Sequence, residues 1–539
     1  MNKLNLPIDD YLVQIQDHLI HSKNLVLTAE PGAGKTTRVP PSLLQTVKGQ
    51  IWMLEPRRIA ALAAAQRIAE ENHWTLGQEV GYLVRLENKT SAQTRIKIIT
   101  EAILNKKISV DPSLKGIDVV ILDEFHERSV HADLALGLLK ETQLLHRPDL
   151  IIIVMSATLD TQKVSDFLDQ APILKVPGRL FPISKNYIKE SQLLLQNRSQ
   201  LEELSLRIRK TFEQSQTQNT ALVFLPGVPE IQFIYDSLQN WSKAQLIEIQ
   251  VIHGGLDLEE QKKVLNYNQG KRLVLSTNIA ETSLTLQGVD VVIDSGLAKV
   301  ATYDLKTGFS RLEISRISKA AAQQREGRAG RLSAGKCFKL WNKLDETSMP
   351  AFDKPEILRS DLAETLLLLS SLGQRDFSTF SWFEKPSDHQ LRQSWNFLNQ
   401  LKAIDSESKI TPLGLALMQI PLSLRSARLL LAGLQLNCSE KACEAAMLLQ
   451  EKDFLKDSSS YVSLDCESDL YLSWWILKNE PEKIPSYQRS NINRTLHQLK
   501  QILNTQSFQI EKINREIPPE LEISFMIFLT YSDRLCKRR

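Results

Sequence analysis

The stretch that most limits what this chain can fold into is an apolar run beginning at Asn24, followed at once by AEPGAGKT (Ala29 to Thr36). An apolar strand, a glycine-bearing loop and then a helix make a Walker A arrangement, in which a buried strand delivers the loop to a helix N-terminus. Gly32 and Gly34 allow the backbone to curl so that N–H groups converge on phosphate oxygens. The helix end adds positive potential. Lys35 is then placed to meet the β- and γ-phosphates, and Thr36 to offer its hydroxyl to Mg²⁺. The competing reading is an incidental glycine-rich turn, and the strand-loop-helix setting counts against it.

The surroundings agree with a parallel α/β sheet. Asn24 to Thr28, Gln50 to Leu54, Arg95 to Thr100, Ile117 to Leu122 and Leu150 to Met155 read as buried strands, separated by helix-like stretches such as the alanine-rich Ile59 to Glu70. A second α/β series follows, with strands expected at Ala221 to Leu225, Glu248 to Ile252, Arg272 to Ser276 and Val289 to Asp294. The proline-bearing VPGRLFP (Val176 to Pro182) reads as the link between them. After about Trp341 the pattern becomes helical, with apolar residues at helical spacing in Ile357 to Leu372 and Leu424 to Leu436.

The second acidic feature is ILDEFH (Ile121 to His126), at the end of an apolar strand. Asp123 there is suited to hold Mg²⁺, and Glu124 to orient and deprotonate an attacking water. Two adjacent acids could equally be solvated caps, a reading that weakens beside the phosphate loop. QREGRAGR (Gln324 to Arg331) closes the second series. Its guanidinium groups suit the charge of a transferring phosphoryl group supplied across a cleft, and a solvated basic helix is the alternative.

The ordered set GAGKTT, LEPRRIAA, TEAIL, LDEFHERS, SAT, LVFLPG, STNIAETSLT and QREGRAGR resembles the superfamily 2 DEAH-box helicases, and within them the bacterial HrpB-type branch, where DEFH replaces DEAH. The resemblance runs from about residue 10 to about residue 435. It implies two tandem RecA-like P-loop NTPase domains followed by a mainly α-helical winged-helix and ratchet-like region. The corresponding divisions are 1–185, 186–345, 346–416 and 417–539.

Carried over residue by residue, the resemblance implies that Gly32, Ala33, Gly34, Lys35, Thr36 and Thr37 cradle the nucleotide phosphates. Asp123 and Glu124 match the metal ligand and catalytic base, and His126 the link between nucleotide state and the second domain. Ser156 and Thr158 match the motif coupling hydrolysis to strand separation. Gln324, Arg328 and Arg331 match the γ-phosphate sensor and arginine fingers. Arg57, Arg58, Thr100, Thr277 and Asn278 match positions gripping the nucleic-acid backbone, a contact that positions without reading sequence.

The run VATYDLKTGFSRLEI reads as a β-hairpin. The resemblance implies a wedge near a duplex junction, while a purely structural hairpin stays open. Trp474 and Trp475 are read as bundle aromatics, with base stacking as the other possibility. Three departures from the family pattern stand out. Ala102 replaces the usual glycine of TEGxL. Leu265 falls near the place of an aromatic that stacks on the nucleotide base, leaving Arg67 as the opposite stacking candidate, so weak base recognition and use of NTPs besides ATP are expected. Finally, LTYSDRLCKRR (Leu529 to Arg539) resembles only the beginning of the C-terminal continuation of HrpB-type proteins, so an accessory nucleic-acid surface is expected to be largely missing.

Composition sets outer bounds. With 539 residues, 42% hydrophobic and 24% charged, the chain suits three or four soluble domains. A net charge of +3 does not by itself announce nucleic acid, and the five cysteines have no zinc-ligand spacing. No secretory signal or membrane-length apolar run is evident, so a cytoplasmic protein is expected. The resulting expectation is an ATP- and Mg²⁺-dependent RNA helicase moving 3′ to 5′ on single-stranded or tailed duplex RNA, with DNA not excluded and no membrane partner. A nucleic-acid-stimulated NTPase acting as a clamp or ribonucleoprotein scaffold is the alternative, and a metabolic P-loop enzyme a remoter one.

Overall fold

A computed structural model describes the chain except for residues 1–4, 31, 85–86, 158–159, 179–180, 257, 266–269, 282–285, 305–307, 332, 450–468, 485, 506, 514–516 and 535–539. The chain divides into two compact units, one comprising 1–360 and 381–386, the other 361–380 and 387–539.

The first unit holds two sheets. The strands of the first are β1 (Asn24–Ala29), β2 (Gln50–Glu55), β3 (Val80–Val84), β4 (Glu87–Lys89), β5 (Ile96–Thr100), β6 (Ile117–Leu122), β7 (Ile151–Ser156) and β8 (Ile173–Val176). They lie in the order β4-β3-β5-β2-β6-β7-β1-β8, parallel except for β3 with β4. β1, β2, β6 and β7 are buried over nearly their whole length, the state that continuous apolar runs require when helices cover both faces. Because β1 lies between β7 and β8, the loop after it opens at the carboxyl edge of the sheet, where such folds place their ligands.

The second sheet contains β9 (Ile183–Tyr187), β10 (Thr220–Phe224), β11 (Glu248–Ile252), β12 (Arg272–Ser276) and β13 (Val289–Asp294). A hairpin of β14 (Leu297–Asp304) and β15 (Phe309–Arg316) precedes its last strand, β16 (Gly335–Lys339). The sheet order is β11-β12-β10-β13-β16-β9, all parallel. Successive residues of β10 serve opposite faces: Ala221 and Val223 pack into one core cluster, Leu222 and Phe224 into another. Residue 185, the expected end of the first domain, lies inside β9, whose backbone pairs with β16. The switch between sheets therefore falls in 177–182, the segment the prolines had marked.

The second unit is helical, with helices Ala363–Ser371, Asp388–Gln400, Pro412–Gln419, Leu424–Gln435, Ser439–Leu448, Asp469–Asn479, Ser486–Thr505 and Glu522–Thr530. The stretches expected to be winged-helix and ratchet-like both lie mainly in this one unit. An isolated antiparallel bridge, Ile404 to Ile410, precedes the Thr-Pro-Leu-Gly turn, where the Thr411 hydroxyl caps the next helix by accepting from Gly414 N–H at 3.0 Å. A side chain at Gly414 would sit 2.1 Å from the Ala403 carbonyl oxygen, so that turn closes only on glycine. Trp474 is a bundle aromatic: its indole N–H donates to Glu444 at 2.8 Å. Among the described residues no single helix is long and apolar enough to cross a membrane.

Candidate active site

The phosphate loop takes the shape its glycines allow. Gly32 and Gly34 have φ of 87° and 92°, in the left-handed region, and Gly34 caps the Lys35–Ser42 helix. A Cβ at Gly34 would also come within 2.6 Å of the Leu6 side chain. The loop is braced from the N-terminal side, where Ile8 N–H donates to the Ala33 carbonyl at 3.1 Å. Ala33 is buried, and Thr37 N–H returns to the Gly34 carbonyl at 3.2 Å.

β6 brings the acidic pair to this loop. The Thr36 hydroxyl meets Asp123 Oδ2 at 2.5 Å, and Lys35 Nζ lies 2.5 Å from Glu124 Oε1 and 3.3 Å from Asp123 Oδ1. Lys35 and Asp123 are almost fully buried, so these charges interact at low effective dielectric. Burial pushes the Glu124 carboxyl up, but the Lys35 ammonium, with His126 and Arg328, outweighs it and holds the group down at about 2. Asp123 moves the other way: burial raises it, against the pull of Lys35. Two environments have separated two adjacent carboxyls.

His126 stands between Glu124 and Ser156, both of the first sheet's half. Its Nε2 lies 3.4 Å from Glu124 Oε2, and its Nδ1 lies 3.2 Å from the Ser156 hydroxyl at the end of β7. Burial lowers its pKa, against the pull of Glu124. Thr158, the other residue of that motif, lies outside the described residues.

The arginines come from the helix and turn that lead into β16 of the second sheet and are positioned by residues that sequence reasoning had passed over. Arg325 is buried between Glu281 (2.9 Å) and Asp294 (2.9 Å), with its guanidinium 4.9 Å from the Phe224 ring centre. Glu326 pairs with Lys185 of β9 at 2.8 Å and Lys339 of β16 at 3.5 Å. These two residues fix the Lys319–Glu326 helix, with Gln324 buried in it, and so aim the following turn. There Arg328 Nε donates to the Glu281 carbonyl at 2.8 Å. Burial pulls both Arg328 and Arg331 down, and Arg331 repels Arg328; the Glu124 carboxylate pulls each back up. Both guanidiniums thus lie within the field of the DEFH acid.

A further residue missed from sequence is Glu55, at the end of β2. Burial, with Asp123 and Glu124 as neighbours, raises its carboxyl well above the usual range, against Lys35. The LEPRR run gave no sign that its glutamate faces inward.

The grip candidates sit at strand ends of both sheets. Arg57 pairs with Glu127 at 3.3 Å, and Arg58 is half exposed with Glu87 at 3.7 Å. Thr100 and Thr277 each stand at a helix N-cap, and neither hydroxyl is spent on capping. Asn278 follows, exposed. Ala102 is exposed in the first turn of the Glu101–Val110 helix, a place alanine suits. Arg67 is half exposed and paired with Glu71 at 2.6 Å. Leu265 packs against the core of the second sheet.

Thr36 and Asp123 fit Mg²⁺ chemically: both are hard oxygen donors at one point, and that ion usually takes few protein ligands, keeping waters and phosphate oxygens.

Two family models match in order: "DEAD/DEAH box helicase" over residues 13–167 and "Helicase conserved C-terminal domain" over 198–333. The chain is 37% identical over 464 residues to the ATP-dependent RNA helicase HrpA of Escherichia coli, covering 83% of this chain and 35% of HrpA. It is 34% identical over 468 residues to the probable ATP-dependent RNA helicase DHR2 of Saccharomyces cerevisiae, covering 84% and 63%. Two crystal structures of E. coli HrpB, described as a DEAH/RHA helicase and a DExH-box NTPase, superpose with a TM-score of 0.82 at 33% identity. They match 99% and 100% of this chain and 64% and 63% of their own. The chain therefore spans less than two thirds of each of these proteins. With both RecA-like sheets present and their motifs converging on Lys35, Glu124 and the two arginines, the chain belongs to the DEAD/DEAH box helicases.

Proposed function

We propose that this chain is a nucleic-acid-stimulated ATPase of the RNA-helicase type, hydrolysing ATP to move 3′ to 5′ on RNA and part duplexes. The observation that supports this best is the meeting of Lys35, Asp123 and Glu124 on one sheet with Arg328 and Arg331 on the other. In this reading the loop amides and Lys35 bind the β- and γ-phosphates, and Glu124 accepts the proton of the attacking water. Arg328 and Arg331 meet the charge on the transferring phosphoryl group, Gln324 senses it, and His126 links nucleotide state to the second domain. Thr36 and Asp123 would hold Mg²⁺, which would supply charge neutralisation at the phosphates. Thr100, Thr277, Asn278, Arg57 and Arg58 grip the strand backbone, and Thr158 completes the coupling motif. We keep the four-part domain division, with its first boundary moved before β9, and a cytoplasmic location as parts of this proposal.

Steady-state hydrolysis with matched RNA and DNA strands over a salt series tests the reading. Single-stranded RNA is expected to raise kcat about fivefold or more, with the effect fading at high salt. No stimulation by any nucleic acid would overturn it. A 3′-tailed duplex then separates a motor from a clamp, since a clamp hydrolyses without displacing the strand.

Nucleotide choice follows from the base end of the site. Arg67 is the stacking candidate on one side, while Leu265 is engaged in core packing. ATP and GTP are expected to give kcat/KM values within about tenfold of each other, since stacking on Arg67 does not distinguish one purine's hydrogen-bonding edge from another's. Strict ATP dependence would show that the base is read by other residues.

A further inference from the structure

The acidic motif runs into an unusual piece of backbone. Phe125–Glu127 form one 3₁₀ turn, and the residues on either side of it, Glu124 and Arg128, both have φ of 49°. Neither is glycine, and left-handed non-glycine residues persist only where their surroundings hold them. Lys35 holds Glu124. Arg128 is held by Asp133 five residues on and by residues more than 200 further along the chain.

The Arg128 guanidinium donates to both oxygens of Asp133, at 2.8 and 2.9 Å, and to Glu384 at 3.2 Å. It stacks 4.5 Å from the ring centre of Phe383, and the Arg128 carbonyl accepts from Glu356 N–H at 3.1 Å. Phe125, the residue after Glu124, is buried with its ring 5.5 Å from the same Phe383. The segment Ser381–Pro386 is fastened here by three further contacts. Ser381 N–H donates to Glu141 at 3.1 Å, Lys163 pairs with Glu384 at 2.6 Å, and Phe167 meets Phe383 edge-on at 5.3 Å.

Ser381–Pro386 belongs to the first compact unit, while the residues flanking it in sequence on both sides belong to the second. A displacement of the flanking chain therefore reaches Phe383 and Glu384 through covalent bonds. The contact is also of a reversible kind, because Glu384 and Lys163 are partly exposed and such pairs are weak and salt-screened.

We propose that Ser381–Pro386 is a strap through which the C-terminal part of the chain regulates hydrolysis, with Arg128 as the positioning residue for Glu124. The strap holds the turn that sets the Glu124 carboxylate, and it rests on the reading of Glu124 as base of an RNA-stimulated ATPase. Nucleic acid engaged by the rest of the chain changes kcat by changing the hold of the strap on Phe125 and Arg128.

The test is RNA-stimulated ATP hydrolysis by the full chain, with poly(U) as the probe. Phe383→Leu and Glu384→Gln are expected to lower the stimulation about fivefold or more, with KM for ATP within about twofold of the parent. Phe383→Tyr, which keeps the ring beneath the guanidinium, is expected to restore it. Arg128→Gln combined with Glu384→Gln should be no worse than Arg128→Gln alone, as for two residues on one route. Glu384→Gln is isosteric and partly exposed, so it decides the matter even if Phe383→Leu melts early. A stimulated parent with equally stimulated strap variants overturns the strap alone. A parent that RNA does not stimulate overturns the functional reading and the strap's regulatory role with it.

Discussion

Glu124→Gln is expected to bind ATP nearly as the parent does and to hydrolyse it about 10²- to 10⁴-fold more slowly. The amide keeps an oxygen to accept from Lys35, so the phosphate loop and its lysine stay in place. What it loses is the carboxylate basicity that takes the proton from water. The carboxyl sits at about 2, which keeps it ionised at any working pH but makes it a weak base while Lys35 lies 2.5 Å away. Its basicity depends on that ammonium. On the proposed reading, a bound phosphate that shared the charge of Lys35 would weaken the pull on Glu124 and raise its proton affinity, so the base would strengthen as the substrate arrives. Fluorescent-nucleotide binding beside single-turnover hydrolysis measures the two halves of the prediction. Normal turnover by Glu124→Gln would remove Glu124 from the base role.

How much of this was legible from sequence depended on how local the cause was. β1, β2, β6 and β7 announce themselves because each is an unbroken apolar run, and the loops that follow them carry the motifs. β9 does not: Ile183–Tyr187 is half exposed at the edge of its sheet, so its sequence lacks the signature of a buried strand. The site divides along the same line. Lys35, Asp123 and Glu124 lie at strand ends in recognisable motifs, whereas Arg325 depends on Glu281 and Asp294, which are 44 and 31 residues away. Glu384 stands 256 residues from Arg128. Pairings at that range are set by tertiary packing, which a single sequence does not spell out. Glu55 is the plainest case, since only the fold reveals that an acid beside two arginines is buried near the phosphate loop rather than solvated with them.

Arg331→Ala should lower kcat by about 10³-fold while leaving ATP affinity little changed, the mark of a group that acts mainly in the transition state. The electrostatics give the reason. Arg328 is buried and Arg331 half-buried, burial pulls each pKa down, and Arg331 pushes Arg328 down further. Two guanidiniums drawn together repel each other, and the Glu124 carboxylate, with Glu281 beside Arg328, offsets part of that repulsion. Charge developing on a phosphoryl group between the sheets would relieve more, and that relief is realised only as the group transfers. Arg325, held by two acids, cannot substitute, because its guanidinium is committed to Glu281 and Asp294. Arg331→Lys should recover little of the loss, since an ammonium offers a point charge where a planar fork is needed. Single-turnover rates with saturating ATP and RNA measure this directly. A normal rate in Arg331→Ala would show that Arg328 alone carries the charge, and a loss confined to KM would make Arg331 a binding residue instead.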